Sequence, residues 1–192
     1  GAVAVSAVTK SALAGLPEPV LQSSAETMGQ LFDDSDQSYN PVVTLNGWSL
    51  PWRMTDGVKE FHLVAEPVVR ELAPGMEANL WGYNGQSPGP TIEVVEGDRV
   101  RIFVTNKLPE HTSIHWHGQR LPNGMDGVAG VNQPAIEPGK TFVYEFDAKR
   151  PGTFMYHPHA DEMTQMAMGM MGFWVTHPRK KHEWIEEVDR DY

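Results

Sequence analysis

Cysteine is absent from all 192 residues. That removes disulfides, thiolate nucleophiles and cysteine-based metal sites from this chain. Basic residues are in deficit, with 15 Lys and Arg against 25 Asp and Glu, a net charge of -10 with histidine neutral. No basic stripe exists to meet phosphates, so nucleic acid is excluded as a partner class. The acidic excess is spread along the chain and reads as an acidic surface. No run is long and apolar enough to span a bilayer, so no membrane span is expected. A long amphipathic helix is also missing. With 18 Gly and 15 Pro, that excludes a coiled coil or a helical bundle.

What is present is a series of short alternating segments. In "KEFHLVAEPVV", Phe61, Leu63 and Ala65 share one face. "GPTIEVVEGDRVRIFVTNKLP" gives two strands around Glu96-Gly97-Asp98, the second with Val100, Ile102 and Val104 alternating with Arg99 and Arg101. "KTFVYEFDAKRPGTFMYH" gives another pair, broken at Lys149 to Gly152, and "MMGFWVTHP" closes the series. Turn signals such as "NGQSPGP", "LPNGMDG" and "IEPGK" lie between the runs. This spacing predicts an all-β domain, an antiparallel sandwich or barrel, over residues 41–178.

The flanks differ. Residues 1–16, "GAVAVSAVTKSALAGL", read as the end of an export signal, with Ala12-Leu13-Ala14 before Gly15 as an A-x-A cleavage site. A periplasmic or secreted protein is therefore expected. Residues 17–40 extend this N-terminal region as a polar, acidic tail. Residues 179–192 form a charged linker expected to lead toward a further domain.

Four of the eight histidines fall in two His-x-His pairs, His115 and His117 in "IHWHG", and His157 and His159 in "YHPH". On a strand, residues i and i+2 face the same side and stand about 7 Å apart. Each pair therefore presents two imidazoles together, while Trp116 turns into packing. Pro158 supplies no backbone donor, so its strand is expected to end there or lie at an edge. Neutral imidazoles without adjoining carboxylates suit copper first and zinc second. A cupin would need a glutamate soon after the first pair, and "GQRLP" lacks it. His62, His111, His177 and His182 have no x-His partner.

"IHWHG", followed by "MDGVAGVNQPAIEPGKTFVYEF" and "GTFMYHPH", resembles the first cupredoxin domain of the multicopper oxidases, the laccase-like enzymes. The resemblance covers roughly residues 58–178 and implies a cupredoxin-like Greek-key fold. It implies that the chain supplies half of a trinuclear copper cluster. In that cluster His115 would bind the type 2 copper, and His117, His157 and His159 the type 3 pair. Asp126 in "MDG" would be the acid that orients water and helps deliver protons. The implied reaction reduces O2 to water with electrons from a phenolic or metal-ion donor. The type 1 copper requires a Cys thiolate, so it is expected outside this chain. The other two His-x-His motifs must then come from remaining domains or from a second chain or subunit. The same missing thiolate disfavours a blue-copper carrier or a copper nitrite reductase.

Two other readings of the pairs are a non-catalytic copper-binding or storage module and a zinc His-site hydrolase. In "EMTQMAMGMM", Met163, Met166 and Met170 fall at i, i+3 and i+7 and are read as the packing side of a helical turn. The alternative is soft thioether ligands for Cu(I).

Overall fold

The computed structural model describes residues 42–43 and 47–180. The expected export signal, its cleavage site and the tail to residue 40 lie outside the described residues, as does most of the charged stretch after residue 179.

Among the described residues, nine strands form two sheets. They are β1 (Trp52–Thr55), β2 (Val58–Ala73), β3 (Met76–Tyr83), β4 (Ile92–Val95), β5 (Arg99–Asn106), β6 (His115–Trp116), β7 (Thr141–Asp147), β8 (Gly152–His157) and β9 (Gly172–His177). One sheet runs β1-β2-β5-β7, with β3 paired to the far half of β2. The other runs β4-β9-β8-β6. A short helix, α1 (Glu162–Ala167), joins β8 to β9. Among the described residues no helix is long and apolar enough to cross a membrane.

The alternation read from the sequence selects the buried face. Phe61, Leu63 and Ala65 of β2 are fully buried, as are Val100, Ile102 and Val104 of β5 and Tyr144 and Phe146 of β7. They stand in register, Phe61 opposite Ile102 and Ile102 opposite Tyr144, so the inward faces build one apolar layer. The second sheet answers with Ile92, Val94, Trp116, Tyr156 and Trp174, all fully buried. Trp116 closes the gap between the sheets, its ring 5.2 Å from Tyr144 and 5.7 Å from Phe146.

The pairing directions depart from the all-antiparallel expectation. β2 pairs β5 in parallel, and β4 pairs β9 in parallel. Alternation reports which face a residue takes, not the direction of the neighbouring strand, so the mixed sheets were not legible. β1 and β3 were also missed. β3 is half exposed along its length and carries no clean alternation. The cupredoxin-like Greek-key sandwich itself stands.

On the outer face of the first sheet, charges interlock across four strands. Glu60 is 4% exposed and accepts from Arg53 at 2.8 Å and from Arg101 at 2.8 Å. Arg101 also reaches Glu145, which pairs with Arg99, which pairs with Asp147. Burial alone would raise the Glu60 pKa, but the bonds from Arg101 and Arg53 outweigh it and hold the carboxyl below its ordinary value. Glu60→Ala is therefore expected to destabilise the domain by about 1–3 kcal/mol, because two cations lose a charged hydrogen bond. Lys149→Ala, which removes an exposed pair at 3.7 Å, should change stability by less than about 0.5 kcal/mol. Urea denaturation at neutral pH checks both.

Candidate metal centre

The two His-x-His pairs meet because β6 is the edge strand beside β8. The register places His115 opposite His157 and Trp116 opposite Tyr156. The His117 amide continues the ladder, donating to the Met155 carbonyl at 3.0 Å. Residues opposite one another across a ladder share a face. Trp116 and Tyr156 therefore point into the core, and His115 and His157 point out together. The expected ending at Pro158 holds, since β8 stops at His157.

The rings form a tight group. His115 lies 5.5 Å from His117, 5.3 Å from His157 and 5.5 Å from His159 by ring centroid, and His117 lies 5.5 Å from His157. The ring nitrogens of His115, His117 and His157 all fall within 4.8 Å of one another. His159 stands beside this trio, its ring 6.1 Å from His157, and does not belong to that innermost group of donor atoms. Strand geometry explains the difference. His159 follows the end of β8, so no ladder fixes its position.

Hydrogen bonds determine which nitrogens are free. His115 Nδ1 lies 2.6 Å from the Asp126 carbonyl, and His157 Nδ1 lies 3.0 Å from the Pro158 carbonyl. A carbonyl only accepts, so both Nδ1 atoms carry a proton, which leaves Nε2 of each ring as the nitrogen that could ligate a metal. Metal-binding histidines are commonly oriented in this way. His117 presents Nδ1, not Nε2, toward His157 Nε2, at 3.3 Å. Burial holds the His157 imidazole below its ordinary pKa, with the Pro158 carbonyl opposing and His115 adding to the shift. The donor set is thus a cluster of imidazoles, a type that fits copper or zinc.

Asp126 lies beside His115. Its Oδ1 is 3.4 Å from His115 Nδ1, and its side chain is about one-third exposed. Asn132 braces the loop, accepting from the Val128 amide at 2.9 Å and reaching Asp126 Oδ2 at 3.5 Å. Gly127 makes this approach possible. It has φ +84°, and a Cβ there would fall on the Ile114 carbonyl.

Sequence reasoning missed two residues here. Glu162 carries a carboxylate 3.6 Å from His157 Nδ1 and 3.7 Å from His159 Nε2. Gln165, not a methionine, is the buried residue of α1. The expected methionine packing side holds for Met170, which is fully buried, and fails for Met163, which is 88% exposed. His111 is exposed, and its carbonyl accepts from Gln165.

The outer face of this sheet is covered at one end and open at the other. Glu93, Val175 and His177 share the face of His157, by register. They are buried there, and Glu93 accepts from Ser49 Oγ at 2.8 Å and from the Val42 amide at 3.2 Å. Toward the histidines, Phe173 is 56% exposed and Met155 is half-buried.

Fold and site together define a cupredoxin-like sandwich with a histidine cluster at one sheet edge that could hold a metal ion. The family model for multicopper oxidases matches residues 64–181. Copper resistance protein A of Escherichia coli is 48% identical over 86 residues, covering 45% of this chain and 14% of that protein. L-ascorbate oxidase of Cucurbita pepo var. melopepo is 46% identical over 110 residues, covering 55% of this chain and 20% of that protein. The crystal structure of a multi-copper oxidase from Pseudomonas thermotolerans superposes with a TM-score of 0.64 at 42% identity, over 66% of this chain and 31% of that one. The chain belongs to the multicopper oxidase family. The segments it matches are a fifth or less of the length of these two curated relatives.

Two predictions follow from this geometry. Gly127→Ala should destabilise the domain by about 2 kcal/mol or more, through backbone strain and collision with β6, and should weaken Zn(II) binding measured by calorimetry. The second concerns pH. The folded-state pKa of His157 is depressed, so the unfolded chain takes up the proton first as pH falls below the ordinary histidine value of about 6.5. The metal-free chain should therefore lose stability between pH 7 and pH 5, and His157→Gln should flatten that loss. Thermal melts across this range check the sign.

Proposed function

We propose that this chain is the first cupredoxin domain of an oxygen-reducing copper enzyme and supplies one half of its trinuclear centre. The carrying observation is the placement of His115 opposite His157, with four imidazoles grouped together, His157 buried, His115 and His159 partly exposed and His117 exposed. In this reading His115 serves the type 2 copper, and His117, His157 and His159 serve the type 3 pair. The bound copper would supply electrons to O2, which is reduced to water with electrons from a phenolic or metal-ion donor.

The protein's own residues do the rest. The Asp126 and Pro158 carbonyls fix the tautomers of His115 and His157, so their Nε2 lone pairs need no rearrangement to bind metal. The Asp126 carboxylate lies 3.4 Å from His115 Nδ1 and is partly exposed, and it is the group proposed to pass protons inward as oxygen is reduced. Exposed Phe173, beside the cluster, offers an apolar margin for a complementary surface carrying the other His-x-His motifs. That surface is proposed to be a further domain or another subunit, which would also hold the type 1 copper. Residues 41–178 are proposed as the domain unit, residues 1–40 as signal remnant and tail, and 179–192 as the linker onward. A periplasmic or secreted location accompanies this reading.

The test is made on the assembled enzyme. Native mass and metal analysis should find four coppers per complete active unit, and His117→Ala should abolish oxygen uptake. Copper bound without oxygen uptake in the parent protein would point to a storage module. Zinc in place of copper would point to a hydrolase.

A further inference from the structure

Gln165 is the one buried residue of α1 and is fully enclosed. A polar side chain in such a position must be satisfied, and three bonds satisfy it. Its Oε1 accepts from Thr112 Oγ1 at 2.7 Å. Its Nε2 donates to Glu110 Oε1 at 2.8 Å and to the His111 carbonyl at 2.9 Å. All three partners lie in the segment that leads into β6. Thr112 is three residues before His115, and Gln165 is six residues after His159. One carboxamide therefore joins the chain leaving the second pair to the chain entering the first.

That segment is held on its other sides as well. Thr112 exchanges two backbone bonds with Ile136, at 3.0 and 2.7 Å. Asn106 Nδ2 donates to the Glu110 and Ile136 carbonyls, and the Ile114 amide donates to the Tyr144 hydroxyl. Those contacts tie the first pair to the opposite sheet. The Gln165 bonds tie it to α1. β6 has only two residues in its ladder, so strand pairing alone gives it little hold.

We propose that Gln165 is a positioning residue that sets the spacing of the two His-x-His pairs, acting through Thr112 and Glu110. It touches no metal-ligating atom itself. The inference deepens the proposed metal centre and rests on it only for its affinity readout.

The experiment uses the full 192-residue chain. In the metal-free protein, cross-peaks between the imidazole ring protons of His115 and His157 report the spacing directly. Cu(II), added alone, reports affinity. Gln165→Glu keeps the acceptor for Thr112 but sets a carboxylate against Glu110. It should remove the cross-peak and weaken Cu(II) binding by about 10-fold, the scale at which such supporting partners act. In the double variant Glu110→Gln/Gln165→Glu, donor and acceptor exchange places between 110 and 165 while the His111 carbonyl stays without its donor, so the cross-peak and affinity should return in part. Thr112→Val loses one bond only and gives a smaller change in the same direction, which keeps the test available if Gln165→Glu does not fold. A folded Gln165→Glu or Thr112→Val chain with the cross-peak and Cu(II) affinity of the parent overturns the proposal. Failure of the parent to bind Cu(II) sinks the metal reading instead, and the cross-peak still decides the role of Gln165.

Discussion

The register between two short strands governs everything else at the site. β6 contributes only His115 and Trp116 to its ladder, yet this pairing decides both faces at once. With Trp116 opposite Tyr156, an aromatic anchor enters the core. With His115 opposite His157, the imidazoles stand together outside. A slip of one residue would put the histidines inside and the tryptophan in water. Trp116 makes that slip costly, because its fully buried ring is wedged against Tyr144, Phe146, Tyr156 and Trp174. Truncating a buried aromatic of this kind costs about 3–5 kcal/mol. The core thus enforces the geometry of the surface cluster, and His-Trp-His is one device.

The surrounding loops refine what the register sets. Gly127 lets the 126–132 loop lie against β6, and the Asp126 carbonyl then orients His115. The short helix after β8 brings Glu162 to the edge of the cluster and Gln165 beneath the segment entering it. The Asp126 and Pro158 carbonyls orient the His115 and His157 rings. At the other end of the same face, Glu93 accepts from Val42 and Ser49.

Much of this was legible in the sequence. Alternation located β2, β5 and β7 and their share of the core, because a half-buried strand must alternate, while β4, β8 and β9 were found as short runs between turn signals. The two His-x-His pairs announced a site, because period-two spacing puts both rings on one face. The legible part ends where partners are distant in sequence. The direction of β2 against β5 leaves no mark on either strand. His159 was read as the equal of the other three, but it lies past the end of β8, where strand period no longer applies. Gln165 was hidden among five methionines whose helical spacing drew the eye. Its importance comes from Thr112, 53 residues away.

The central claim is that the histidine pairs form one binding unit, with His115, His117 and His157 as its innermost donors and His159 beside them. It is tested most directly by titrating the chain with Zn(II) while following the imidazole nitrogens by NMR. The account predicts that these three rings respond together at one stoichiometry, with His62 and His177 unmoved. Rings that respond independently, or a response centred on His177 and Glu93, would contradict it.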